Sequence, residues 1–215
     1  VLEESAHNLL PDKKKELIEM TKEIVLDALI GVEGVMAGNF VLANQLVIPD
    51  VPLLKDLKKS PEEEYLVMIG DPHFGSKNFL EKEFDEFIEW INQRKGNKEH
   101  KDIAGKIKYL VIIGDLVEGV GIYPGQEEDL KVKDIKDQYD LFAEYLKRIP
   151  SDISIIICPG NHDVGRISEP QPPIMHKFAE SIRLPNVFLL SNPAMINIGA
   201  KEAFRGFDLL LYHGY

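Results

Sequence analysis

Ile153-Ser154-Ile155-Ile156-Ile157-Cys158-Pro159-Gly160-Asn161-His162-Asp163 is the stretch from which the fold is read. Its apolar, largely β-branched start predicts a buried strand. Pro159 has no N–H to donate and ends the ladder. Gly160 permits a tight turn with the backbone close to a bound group. An amide, an imidazole and a carboxylate follow at once. Open α/β folds place their ligand sites at the carboxyl ends of strands, where such side chains would be delivered. A single turn of this kind is also compatible with a plain polar loop, so the reading depends on the rest of the chain.

Working outward, two earlier strands end the same way. Tyr65–Ile69 predicts a strand that runs into Gly70-Asp71-Pro72-His73-Phe74-Gly75-Ser76. Tyr109–Ile113 predicts a second, closed by Gly114-Asp115-Leu116-Val117-Glu118-Gly119. Between them, residues 78–92 carry Phe79, Phe84, Phe87, Ile88 and Ile91 at helical spacing, a stripe read as core packing. Residues 95–106 read as a polar linker and 134–149 as a helix with Ile135, Tyr139, Phe142 and Leu146 inward. A short helix is expected within 170–184, and short strands at 187–190, 194–198 and 207–212, the last ending at His213. Strand, helix, strand, helix, strand is an α/β pattern with a mainly parallel central sheet.

The amino-terminal part reads differently. Residues 11–30 have helical spacing, and 35–47 read as a hairpin around Gly38-Asn39, ended by Ile48-Pro49-Asp50-Val51-Pro52. A charged connector, 53–64, contains Ser60-Pro61 as the expected boundary, giving domains of 1–60 and 61–215.

The 215 residues are 44% hydrophobic, enough for a real core, and no apolar run is long enough to span a bilayer. No signal peptide is visible at the acidic start, and a cytoplasmic setting is expected. The lone Cys158 cannot form an internal disulfide and reads as a buried thiol. A net charge of −11 does not suit a free-standing nucleic-acid binder. Either the substrate is small, or a partner supplies the electrostatic grip.

Asp71, His73, Asp115, Asn161, His162 and His213 all follow apolar strands and would converge at one sheet edge. Mixed oxygen and nitrogen donors without thiolates suit a divalent ion such as Mn, Fe or Zn. Asp115 is placed to bridge two ions, an arrangement that clamps a phosphoryl group and activates water. His162 would face the leaving oxygen as proton donor or charge stabiliser, and Asp163 would orient it by hydrogen bonding. Glu118 reads as a solvated loop residue. Tyr123 reads either as part of a turn or as an aromatic that stacks on a terminal base.

Asp71-x-His73, Gly114-Asp115 and Gly160-Asn161-His162-Asp163, followed by His213, resemble the calcineurin-like metallophosphoesterases. The resemblance implies that Asp71, His73 and Asp115 hold one metal. It implies that Asp115, Asn161 and His213 contribute to a second, with His162 as catalytic imidazole. That family adds a Gly-His-x-His motif further along, which does not occur before Tyr215. The expectation is therefore a metallophosphoesterase sheet with flanking helices whose last part is missing, and incomplete coordination of both ions within this stretch.

A second resemblance is narrower. Gly119 to Gln126, Asp134-Ile135-x-x-Gln138-Tyr139, Gln171-Pro172 and Ile48-Pro49-Asp50-Val51-Pro52 are similar to the small subunits of archaeal family D DNA polymerases. Gly70 and Pro72 depart from the usual neighbours of the first motif in that family. This resemblance implies a partial OB-fold-like segment ahead of a proofreading 3′–5′ exonuclease. It implies two divalent ions, Mn foremost with Fe, Zn, Mg or Ni as alternatives. The implied partners are a large catalytic polymerase subunit, the primer 3′ end and the sliding clamp, with no membrane. Two other functions stay open: a phosphoesterase of small nucleotides, and a scaffold subunit that keeps the fold without the chemistry.

Overall fold

A computed structural model describes residues 11–49 and 57–214, in two compact units, 1–57 and 58–215. In the first unit, α1 (Pro11–Glu23) precedes an antiparallel hairpin of β1 (Gly31–Ala37) and β2 (Phe40–Val47). Ala37 pairs with Phe40, so Gly38-Asn39 forms a two-residue turn, with Gly38 at φ 64°. The helix is shorter than its spacing predicts. It stops at Glu23, and the Ala28 N–H bonds back to Val25 O (3.2 Å) around Asp27, whose φ is 66°. The adjacent β-branched Ile24 and Val25 weaken helix propensity at that point. Leu17 and Leu46 are buried, with Met20, Ile24 and Ile30 against them. Asp50-Val51-Pro52 and the start of the connector, 53–56, lie outside the described residues.

The second unit is built on a parallel sheet in the order β3 (Tyr65–Gly70), β4 (Ile107–Ile113), β5 (Ser154–Cys158), β6 (Val187–Leu189). Its strands are apolar at nearly every position because both faces are covered. Side chains alternate between those faces. Leu110, Ile112, Ile155 and Ile157 pack with Ile88 and Ile91 of α2 (Glu81–Ile91) and with Tyr139, Phe142 and Leu146 of α4 (Ile135–Leu146). Val111, Ile156 and Cys158 join Ile196, Leu209 and Leu211 from the antiparallel pair β7 (Ala194–Ile198) and β8 (Phe207–Leu211). The result is a helix layer, a parallel sheet and a two-stranded layer. Burial pushes the Cys158 thiol up to about 11, in keeping with a structural thiol.

The expected polar linker contains a helix, α3 (Lys98–Ala104). Its signal is a cap: Asn97 Oδ1 accepts the His100 N–H at 2.9 Å. Trp90 Nε1 donates to His100 O (3.1 Å) and ties α3 to α2. Seven residues with few apolar side chains gave too little periodicity to register. α5 (His176–Ala179) is the short helix expected after Pro170.

Candidate metal centre

The loops leaving β3, β4 and β5 continue to pair beyond the strands. Asp71 N–H donates to Gly114 O (3.2 Å), His73 N–H to Asp115 O (3.0 Å) and Gly114 N–H to Cys158 O (3.0 Å). This pairing brings Asp71, His73, Asp115 and the turn after β5 to one edge. Gly160 is needed there, because a Cβ on it would collide with Asp115 Oδ1 and His213 Nε2. Asp71, His73 and Asp115 lie at φ 54°, 48° and 48°. That left-handed region is sparsely populated, although Asp and His enter it more readily than most residues. Such positions cost about 1–3 kcal/mol each and cluster where a site dictates the backbone.

Asp115 is 4% exposed, and its two oxygens approach different imidazoles. Oδ2 is 3.6 Å from His73 Nε2, while Oδ1 is 3.6 Å from His213 Nε2. Oδ1 also accepts the His162 N–H at 2.8 Å. Two ligand groups result, each with donor atoms within 4.8 Å of one another: His73–Asp115–His162 and Asp71–Asp115–His213. The carboxylate–imidazole distances of 3.5–4.0 Å are too long for hydrogen bonds. They match ligands around one ion, since bonds of about 2.1 Å separate two donors by about 3.0–4.2 Å. The donor set therefore fits divalent ions.

This grouping differs from the expected one. Asp71 Oδ1 lies 3.5 Å from His213 Nε2 and 4.0 Å from His73 Nε2, so Asp71 sides with His213. His162 falls within ligand range of His73 and Asp115, and its ring meets the His73 ring edge-on at 4.7 Å. Its Nδ1 is 2.7 Å from Glu118 O, which fixes Nδ1 as the protonated nitrogen and leaves Nε2 free. Asn161 is half-buried, one residue beyond Gly160.

Asp163 does not hydrogen-bond to His162 as anticipated. It is buried, with Oδ2 accepting from Gly160 N–H (2.9 Å) and Leu116 N–H (3.2 Å), and Oδ1 from the Tyr139 hydroxyl (2.9 Å). The Tyr139 oxygen in turn accepts the Val164 N–H (3.0 Å). Asp163 therefore fastens the turn after β5 to the loop after β4. Burial pushes its carboxyl up to about 6, against the lowering effect of those donors. A side chain flanked by glycine and ligand residues has backbone donors within reach, and here they win over the neighbouring imidazole.

Glu118 is not a solvated loop residue: it is 6% exposed. Its Oε2 lies 3.2 Å from His73 Nδ1, and its Oε1 accepts from Tyr123 (3.1 Å) and Gln126 (3.3 Å). His73 Nδ1 is buried without a well-aligned hydrogen-bond partner, so the contact with Glu118 is close but not aligned. The signal in the sequence was a carboxylate between Leu116-Val117, both fully buried, and Gly119. Two buried amides hold this loop. Gln138 accepts from Gly119 N–H (2.9 Å) and donates to Gly119 O (3.2 Å) and Val132 O (2.8 Å). Gln126 donates to Glu118 O (2.9 Å) and accepts from Ile122 N–H (2.9 Å). A cavity of about 630 Å³ opens beside Asp71, His73 and Glu118.

A family profile described as calcineurin-like phosphoesterase matches residues 65–215. The chain belongs to the calcineurin-like phosphoesterase family. Membership implies divalent-metal binding, and the two ligand groups are the candidates to provide it. Relatives named DNA polymerase II small subunit are similar over most of the chain. The protein of Archaeoglobus fulgidus is 43% identical over 196 residues, covering 91% of this chain and 38% of its own length. That of Methanocaldococcus jannaschii is 42% identical over 214 residues, covering 99% and 35%. That of Pyrococcus furiosus is 41% identical over 208 residues, covering 95% and 33%. This phosphoesterase chain thus spans about a third of the length of these archaeal relatives. Among its described residues, no helix is long and apolar enough to cross a membrane.

Proposed function

We propose that this chain carries the hydrolytic centre of an archaeal DNA polymerase small subunit, a metal-dependent 3′–5′ exonuclease that trims primer ends in the cytoplasm. The observation that carries the proposal is the buried Asp115 carboxylate, with one oxygen toward His73 and the other toward His213. When bound, two divalent ions, Mn foremost, would polarise the phosphodiester and lower the pKa of an attacking water. Asp71, His73, Asp115, Asn161 and His213 would hold them. His162, its Nδ1 committed to Glu118 O, offers Nε2 to stabilise charge on the phosphoryl oxygens or to protonate the departing 3′ oxygen. Asp163 keeps the Gly160–Val164 turn in place for both tasks.

The substrate class and partners rest on the relatives and on charge. A chain of net charge −11 is a poor lone DNA binder, so a large polymerase subunit would supply most of the grip on DNA, with the sliding clamp as a further partner. The ligand residues that are present speak against a purely scaffolding role. The test is single-turnover cleavage of a primer with a mismatched end by the full-length protein in Mn. A 3′-label should leave as a mononucleotide, while a 5′-labelled primer shortens from its other end. No cleavage of the primer together with turnover of free nucleotides would replace this reading with a small-molecule phosphoesterase.

A further inference from the structure

Outside the ligands, two neutral side chains are buried at the sheet edge with no part in the chemistry so far. Gln171 is 4% exposed and Asn192 is fully buried. Their backbones pair reciprocally, Gln171 N–H to Asn192 O at 2.7 Å and Asn192 N–H to Gln171 O at 3.0 Å. Their side chains form a directional chain. His213 N–H donates to Asn192 Oδ1 (3.0 Å), Asn192 Nδ2 to Gln171 Oε1 (2.6 Å), and Gln171 Nε2 to Gly160 O (3.1 Å). Each bond runs the same way, so neither amide can flip without setting oxygen against oxygen. Aligned hydrogen bonds of this kind reinforce one another.

We propose that Gln171 and Asn192 are positioning residues that hold His213 and the Gly160-Asn161 turn in register for one of the two ions. This rests on the metal reading given above. The ends of the chain of bonds are the peptide that leads into Asn161 and the backbone of His213, which come from distant parts of the sequence. Gly160 also lies against both Asp115 Oδ1 and His213 Nε2, so a small slip at either end would separate the donors. Neutral amides suit the task. They fix position by shape and polarity, and they place no charge beside the ions. Partners of this kind are worth about 10–100-fold in metal affinity.

The test is Mn titration by calorimetry on the full-length protein, alongside thermal unfolding without metal. Asn192→Asp keeps the acceptor for His213 but loses the donor to Gln171. Gln171→Glu loses the donor to Gly160. Both are near-isosteric, and both should weaken one Mn equivalent about 10–100-fold while the other binds as before. Two equivalents at wild-type affinity in both variants would overturn the proposal, as would equal weakening of both equivalents. Wild-type protein that binds no Mn would reject the metal reading and this inference with it; wild type and variants binding alike would reject this inference alone.

Discussion

The two ligand groups share Asp115 and differ in what stands behind them. His73 and His162 are backed by Glu118, whose loop is fastened by Gln126, Gln138 and Tyr123. Behind His213 stand Asn192, which accepts its backbone N–H, and Gly214 O, 3.1 Å from its Nδ1, while the Asp71 side chain is 62% exposed. One group is braced by a carboxylate within an interior network; the other opens to solvent on its Asp71 side. Under the proposed exonuclease function, this asymmetry would help the site admit a primer end and release a product. The braced side would keep its geometry, and the open side would leave room for the phosphodiester.

Asp115→Ala breaks both groups at once and should have the largest effect. Bound Mn should fall from two equivalents to one or none, and primer cleavage should fall to background. Two retained equivalents would show that Asp115 does not bridge. His162→Ala comes next. General acid–base assistance is worth about 10²–10⁴-fold, and that is the expected loss in single-turnover rate. Both Mn equivalents should remain. Loss of one would turn His162 into a ligand of the braced group, which its nearness to His73 and Asp115 makes a sharp question.

The sequence made the parallel sheet legible because three apolar strands each ended in a glycine turn with ligand side chains. Most of the site was legible for the same reason: strand ends in such a sheet share an edge. The pairing of ligands was not, since it depends on where loops lie once Gly114 and Gly160 let backbones approach. The family resemblance implied one ion for Asp71 and His73, yet both sit at positive φ, and Asp71 Oδ1 lies nearer His213 Nε2. Glu118 and Asp163 were misread through their neighbours. Glu118 lies in a glycine-rich loop, but the buried Gln126 and Gln138 draw that loop inward. Asp163 adjoins His162, but backbone N–H groups and Tyr139 are its partners.

Glu118→Gln sharpens the contrast from the braced side. His73 must keep Nε2 unprotonated to serve as a ligand, so its Nδ1 must carry the proton, which the Glu118 carboxylate favours from 3.2 Å. A glutamine that keeps its oxygen toward Tyr123 and Gln126 turns its NH₂ toward Nδ1 and favours the opposite tautomer. One Mn equivalent should weaken about tenfold. Unchanged affinity for both would mean that Glu118 only packs the loop.

The smallest effect is expected at Tyr123, which separates bracing from substrate contact. Its hydroxyl joins Glu118 Oε1 (3.1 Å) to Asp129 Oδ2 (3.0 Å), and desolvation with those two bonds pushes it up to about 12, so it stays a donor at any working pH. The ring is 39% exposed and 6.3 Å from the His162 ring. Tyr123→Phe removes only the hydroxyl. Glu118 keeps its Gln126 partner, and a solvent-screened hydrogen bond contributes little. Mn affinity should therefore stay within about twofold, since only part of that contribution reaches His73. Tyr123→Leu removes the ring as well. If the ring stacks on a terminal base, the leucine variant should bind primer ends about 5–150-fold more weakly, the range that corresponds to about 1–3 kcal/mol per stacked base. The phenylalanine variant should bind them as wild type does. Equal primer affinity in both variants would show that the ring has no part in holding the strand.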